Sequence, residues 1–129
     1  MDIIHSSKPA QPKPLIWMGR SKKDLCALPA GVVDAFGYAL YLAQCGKRHE
    51  STKVLRGFGD ASVMQVIEST AGSTFRAVYT IRFVEAVVVL HVFQKKSKSG
   101  TETPKPDMDL IATRLKDTLE IMKQRRRKR

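Results

Sequence analysis

The spacing of apolar residues changes period along the chain, and each change marks an element. Leu15, Ile16, Trp17 and Met18 form a short apolar run closed by Gly19, as in a buried or edge strand. Ser21 followed by Asp24 has the form of a capping box, so a short helix is expected over residues 22–28, stopped by Pro29. Across residues 32–45 the apolar side chains of Val32, Phe36, Leu40 and Ala43 recur at steps of three and four. Val33, Ala39 and Leu42 widen that stripe, and Gly46 is a natural C-terminal stop. Residues 46–62 are polar, basic and glycine-bearing, which predicts a loop.

The period then shortens to two. Strands are expected over residues 63–70, 74–83 and 86–93, with a turn at 71–73 and only Val84-Glu85 between the last two. Residues 86–90 are apolar at every position, as in a central strand covered on both faces. A polar loop over 94–106 follows. Met108, Ile111, Leu115, Leu119 and Met122 then draw one stripe on a last helix that starts near Pro106 or Asp107. The expected order is β-α-α-β-β-β-α: an α+β single domain with a small twisted, mostly antiparallel sheet and helices packed on one face. A proline-rich arm (1–14) and a basic tail (123–129) flank the domain at 15–122.

Composition narrows the class. The 129 residues are 43% hydrophobic and 27% charged, enough for one ordinary core. No apolar run approaches the ~20 residues of a membrane span, and the N-terminus lacks a basic-then-apolar leader, so the expected location is cytoplasmic with no membrane partner. Cys26 and Cys45 read as reduced packing residues. The net charge of +11 is unevenly spread. Residues 1–93 carry 11 basic and 7 acidic side chains (net +4), and residues 94–129 carry 12 and 5 (net +7). Such a concentrated positive field makes nucleic acid the leading partner class. His5, His49 and His91 lie far apart without carboxylates at ligand spacing, so no metal or other cofactor is expected. No serine sits in a glycine-flanked elbow either.

Two stretches carry a resemblance: Thr-Phe-Arg-Ala-Val-Tyr-Thr-Ile-Arg-Phe at 74–83, and Val-Leu-His-Val-Phe-Gln-Lys-Lys-Ser-Lys at 89–98. With Leu-Arg-Gly-Phe-Gly at 55–59, Thr-Pro-Lys at 103–105 and Gly-Tyr-Ala-Leu at 37–40, they resemble the phage-derived HigB-like branch of the RelE/ParE toxin superfamily over about residues 15–122. The resemblance implies the toxin of a type II toxin–antitoxin system. Its activity would be that of a metal-independent endoribonuclease (mRNA interferase) cutting mRNA in association with the ribosome and so inhibiting translation. The partner would be a helix-turn-helix (XRE-type) antitoxin. Relatives in the ParE branch poison DNA gyrase, so a gyrase or replication poison is one alternative, and a non-catalytic RNA- or ribosome-binding protein is another.

The resemblance also points to residues. Arg76 matches a strand arginine that binds phosphate and stabilises charge in the transition state; the ordinary alternative is a solvated arginine paired with Glu68. His91 is the proton-transfer candidate, since histidine as a type titrates near neutral pH; the ordinary alternative is a buried histidine bonded to a backbone carbonyl. Lys96 completes the expected catalytic set, and Lys53, Arg56, Phe93, Lys95 and Lys98 are expected to contact RNA. If Val84-Glu85 forms a two-residue turn, Arg76 faces Phe93 and Val78 faces His91, which puts Arg76 and His91 on one side of the sheet and Tyr79 on the other. The sequence departs from the RelE pattern in one respect: residues 101–119 contain no Tyr or His, so proton transfer falls to His91 or cleavage relies on lysine and arginine alone.

Overall fold

A computed structural model describes residues 11–70, 72–95 and 102–128. The chain runs β1 (Leu15–Trp17), α1 (Ser21–Cys26), α2 (Ala30–Gln44), β2 (Thr52–Val54), β3 (Val63–Thr70), β4 (Ser73–Thr80), β5 (Val87–Lys95) and α3 (Lys105–Arg127). The five strands form one sheet in the order β1-β5-β4-β3-β2. Among the described residues only β1 and β5 pair in parallel. The α+β class is as expected. The strand β2 is an addition: it pairs Lys53 with Gln65 inside the stretch expected to be loop. The expected basic tail continues α3 without a break as far as Arg127. Among the described residues no helix is long and apolar enough to cross a membrane.

The helices cover both faces of the sheet, which corrects the expectation of one. On the first face Phe36, Leu40 and Ala43 of α2 pack on Met64, Val66, Ala77, Tyr79, Val87 and Val89. On the second, Ile111, Leu115 and Met122 of α3 pack on Val63, Val78, Phe83, Val88 and Leu90. The reason lies in β5, where Val87, Val88, Val89 and Leu90 are all fully buried; alternation sends apolar side chains to both sides, and each side needs a cover. The stripes expected on α2 and α3 are the faces they bury.

The capping box does not form. Ser21 is completely buried and its hydroxyl donates to the Val89 carbonyl at 3.4 Å, because the turn at Gly19 presses the start of α1 against β5. Cys26 is exposed and so is not a packing residue; Cys45 is half-buried, and neither is in a disulfide.

The register of β4 on β5 is the expected one where it matters: Arg76 pairs with Phe93, and Val78 with His91. The two-residue turn, however, is absent, since β4 ends at Thr80. Beyond it Arg82 leaves the ladder to donate to the Ser62 hydroxyl, the Phe58 carbonyl and Asp60. The register slips by one between Val78 and Tyr79, so Leu90 has no opposite residue and β5 bulges there. The Leu90 carbonyl, freed from the ladder, accepts from the Arg114 guanidinium of α3 at 2.8 Å.

The placement of α3 on the second face has a measurable consequence. Ile111→Ala, at a fully buried position, should cost ~2–5 kcal/mol in chemical denaturation. Val84→Ala, at a position 82% exposed, should stay within ~0.5 kcal/mol. Equal, small effects would mean that α3 does not pack on the sheet.

Candidate functional site

Strand alternation sorts the candidate residues. Val63 and Val78 belong to the core under α3, so Gln65 on β3, Arg76 on β4 and Lys53, opposite Gln65 on β2, look to the same side. On β5 the bulge turns both Leu90 and His91 to this side, and Phe93 and Lys95 follow by alternation. Five of the eight candidates (Lys53, Arg76, His91, Phe93 and Lys95) therefore share the face that carries α3. Lys96 and Lys98 lie outside the described residues. Arg56 stands apart: it lines a separate hollow of about 310 Å³ with Val54, Gly57 and Asp60. That loop is pinned by Arg82, and the Ser62 hydroxyl and amide, with Arg82, hold the Asp60 carboxyl below its usual range.

Arg76 is not presented on an open groove. Its residue is 3% exposed, and it lies under the segment that leads into α3. Nη1 donates to Gln65 Oε1 at 3.1 Å and to Thr103 Oγ1 at 3.4 Å, while Thr103 donates to the same Gln65 oxygen at 3.1 Å. Nε is buried with no acceptor. No carboxylate of the described residues lies within ion-pair distance, so the pairing with Glu68 is not formed. Burial pushes the guanidinium below its usual pKa range, and the field of Asp107 partly offsets this. A buried cation held only by neutral groups keeps most of its electrostatic potential unspent, and an anion reaching it would gain strongly.

His91 is held from two sides. Its Nε2 lies 2.8 Å from Asp107 Oδ1, and its ring stacks on Phe93 with centroids 4.6 Å apart and planes 15° from parallel. In the neutral ring this contact makes Nε2–H the donor and leaves the lone pair on Nδ1, which is buried and unpartnered. Its partner is therefore a carboxylate, not the backbone carbonyl of the ordinary reading. Lys95, also buried, donates through Nζ to the Glu102 carbonyl and so ties β5 to the segment over Arg76. Tyr79 is buried on the opposite face, as expected.

Three members of this cluster were not singled out by sequence reasoning. Asp107 was expected only as an acidic residue in a first helical turn, where the helix dipole accounts for it. Thr103 entered only as part of the Thr-Pro-Lys stretch of the resemblance, with no role attached, and Gln65 carries no signal until the fold brings β3 and residues 102–104 to Arg76.

Comparison with known proteins places the chain. Solved structures similar to it include the toxin–antitoxin complex RelBE2 from Mycobacterium tuberculosis, at 20% identity and a TM-score of 0.45, covering 70% of this chain and all of that one. Another is a double mutant of the E. coli toxin RelE in the free state, at 23% identity and a TM-score of 0.49, covering 64% of this chain and 82% of that one. No significant match is found among curated proteins. The profile of the phage-derived Gp49-like proteins (DUF891) matches residues 23–116, which is most of the domain and includes Arg76, His91 and Asp107, and the chain belongs to that family.

Proposed function

We propose that this protein is the toxin of a toxin–antitoxin pair and acts as a metal-independent endoribonuclease on mRNA, in association with the ribosome. The observation that carries the reading is the convergence of Arg76, the His91–Asp107 pair and Lys95 on one face of the sheet. Family membership and the motifs at 74–83 and 89–98 support the toxin assignment. They also make a helix-turn-helix antitoxin the expected partner.

The chemistry asked of the site is transfer of a phosphodiester from O5′ to O2′. His91 Nδ1 takes the proton of the 2′-hydroxyl while Asp107, on Nε2–H, keeps that tautomer and stabilises the imidazolium that forms. The 2′-oxygen bonds to phosphorus, charge grows on the phosphoryl oxygens, and Arg76 meets it with two N–H groups, one of them the unpartnered Nε–H. The bond to O5′ breaks, and the Lys95 ammonium supplies the proton to that oxygen. Because Thr103 lies on Arg76 and Glu102 on Lys95, residues 102–104 must move aside for a phosphate to reach those two cations. The phosphate then replaces Thr103 on Arg76.

Expression of the protein should arrest growth and leave truncated transcripts. Arg76→Ala should lower cleavage by ~10²–10³-fold, the usual effect of removing one charge-stabilising donor. His91→Ala should lower it by ~10²–10⁴-fold, and Asp107→Asn by less. Intact mRNA in an extract containing ribosomes sinks the enzyme reading. Growth arrest with a DNA-damage response and indifference to His91→Ala would favour a gyrase poison instead.

A stability measurement separates a functional arginine from a structural one. Arg76 is buried with no ion-pair partner among the described residues, so Arg76→Met should leave the thermal midpoint unchanged or raise it while lowering cleavage as far as Arg76→Ala does. A fall of many degrees would show that Arg76 is there to hold the fold.

A further inference from the structure

On the face away from Arg76 there is a second cationic feature. A cavity of about 240 Å³ opens at the C-terminal end of α2. Its apolar wall comes from Met64, Tyr79 and Ile81, and Lys13, Lys47 and Arg48 stand around it. Two of the basic residues, Lys13 and Lys47, are fixed at the backbone. Lys13 N–H donates to the Gln44 carbonyl at 2.9 Å, and the Gln44 amide donates back to the Lys13 carbonyl. Gly46, at φ +80°, ends α2 so that Lys47 N–H reaches the Leu42 carbonyl at 2.7 Å. Burial pushes the Tyr79 phenol up, and Arg48 lines the same cavity as Tyr79.

None of these three cations has a carboxylate partner among the described residues. Elsewhere the basic side chains are often paired, as in Arg20–Asp24, Arg82–Asp60, Lys105–Asp109 and Arg126–Glu85. The dipole of α2 favours Lys47 and Arg48 at its C-terminus. It explains neither the cavity nor a third cation brought from the N-terminal segment. Past Arg48 the chain turns to the outer side of α2, away from Ala43 and the cavity wall. Tyr38 and Tyr41, one helical turn apart, are 57% and 51% exposed, and His49, next to Arg48, meets the Tyr38 ring edge-on at 5.6 Å.

We infer that this surface is a binding site for single-stranded nucleic acid: one base enters the cavity against Tyr79, the flanking phosphates sit on Lys13, Lys47 and Arg48, and the strand passes over the end of α2 to stack a further base on Tyr38 beside His49. The size supports it, because the cavity is below the ~300 Å³ of sites that enclose a drug-sized ligand and admits only a fragment such as a base. Isolated cations beside exposed aromatic rings are the combination by which proteins hold single strands without reading sequence. The site asks only for binding, so it stands or falls independently of cleavage at Arg76.

The test measures binding of the whole protein to a labelled single-stranded 2′-O-methyl RNA, whose blocked 2′-oxygen removes cleavage from the readout. Lys47→Ala combined with Arg48→Ala should weaken binding ~tenfold and reduce the slope of log affinity against log salt by ~1.4, two phosphate contacts at ~0.7 each. Ile81→Glu, at a position 40% exposed, should weaken binding in the same direction by placing a carboxylate at the mouth. Both sites are at the surface, and an unchanged thermal midpoint confirms the fold. Unchanged affinity and slope in both variants overturn the proposal. So does loss of binding to a poly-glutamate peptide with RNA binding intact, since the surface would then serve an acidic protein.

Discussion

The bulge at Leu90 decides which way His91 points. From Val87 to Leu90 the side chains alternate between the two cores, and a regular strand would send His91 to the α2 side, away from Arg76. The extra residue reverses the phase, so that Leu90 and His91 both look toward α3. A bulge leaves a carbonyl without its ladder partner, and here Arg114 supplies the missing donor. Gly19 makes room for it: a Cβ there would lie 2.5 Å from the Arg114 guanidinium. The orientation of the histidine thus rests on a contact made by α3 and on a glycine beside β1.

The same helix brings Asp107. Its first turn supplies the carboxylate for His91, its third turn supplies Arg114 for the bulge, and the segment before it supplies Thr103 for Arg76. The part of this sheet face under the segment leading into α3 is where charge is buried, and that charge is costly: Arg76 has neutral hydrogen-bond partners and one orphan N–H. Folding alone gives no reason to keep such a group. The proposed phosphate ligand would supply one. Neutral caps such as Thr103 and Gln65 satisfy part of the guanidinium without cancelling its field.

Much of this could be read from the residues. The stripes on α2 and α3 are strict enough to give both helices and their buried faces, and β-branched runs gave β3, β4 and β5. The placement of Arg76 and His91 on one side was inferable from their distance to a turn, although the turn itself is longer and the bulge restores the phase. Other features were beyond reach for physical reasons. Thr52–Val54 is three residues long with a lysine in the middle, and its strand character comes only from pairing with β3. The second covered face was signalled by the unbroken apolar run in β5, but placing helices on one face ignored it. Ser21 looks like a cap in sequence because sequence does not show that it is pressed against β5. Asp107, Gln65 and Thr103 are ordinary residues whose chemistry depends on what lies opposite, and that is decided by topology.

The proposed function has RNA cut by attack of its own 2′-oxygen, and the ends of the fragments carry the signature of that attack. The decisive measurement is end-group analysis of RNA incubated with the purified protein and ribosomes, using a substrate with a single 2′-deoxy nucleotide at the mapped cleavage position as the comparison. Attack by the 2′-oxygen leaves fragments ending in a 2′,3′-cyclic phosphate and a 5′-hydroxyl, with no cleavage at the 2′-deoxy position. Fragments with 5′-phosphate ends, or equal cleavage of the 2′-deoxy substrate, would contradict it.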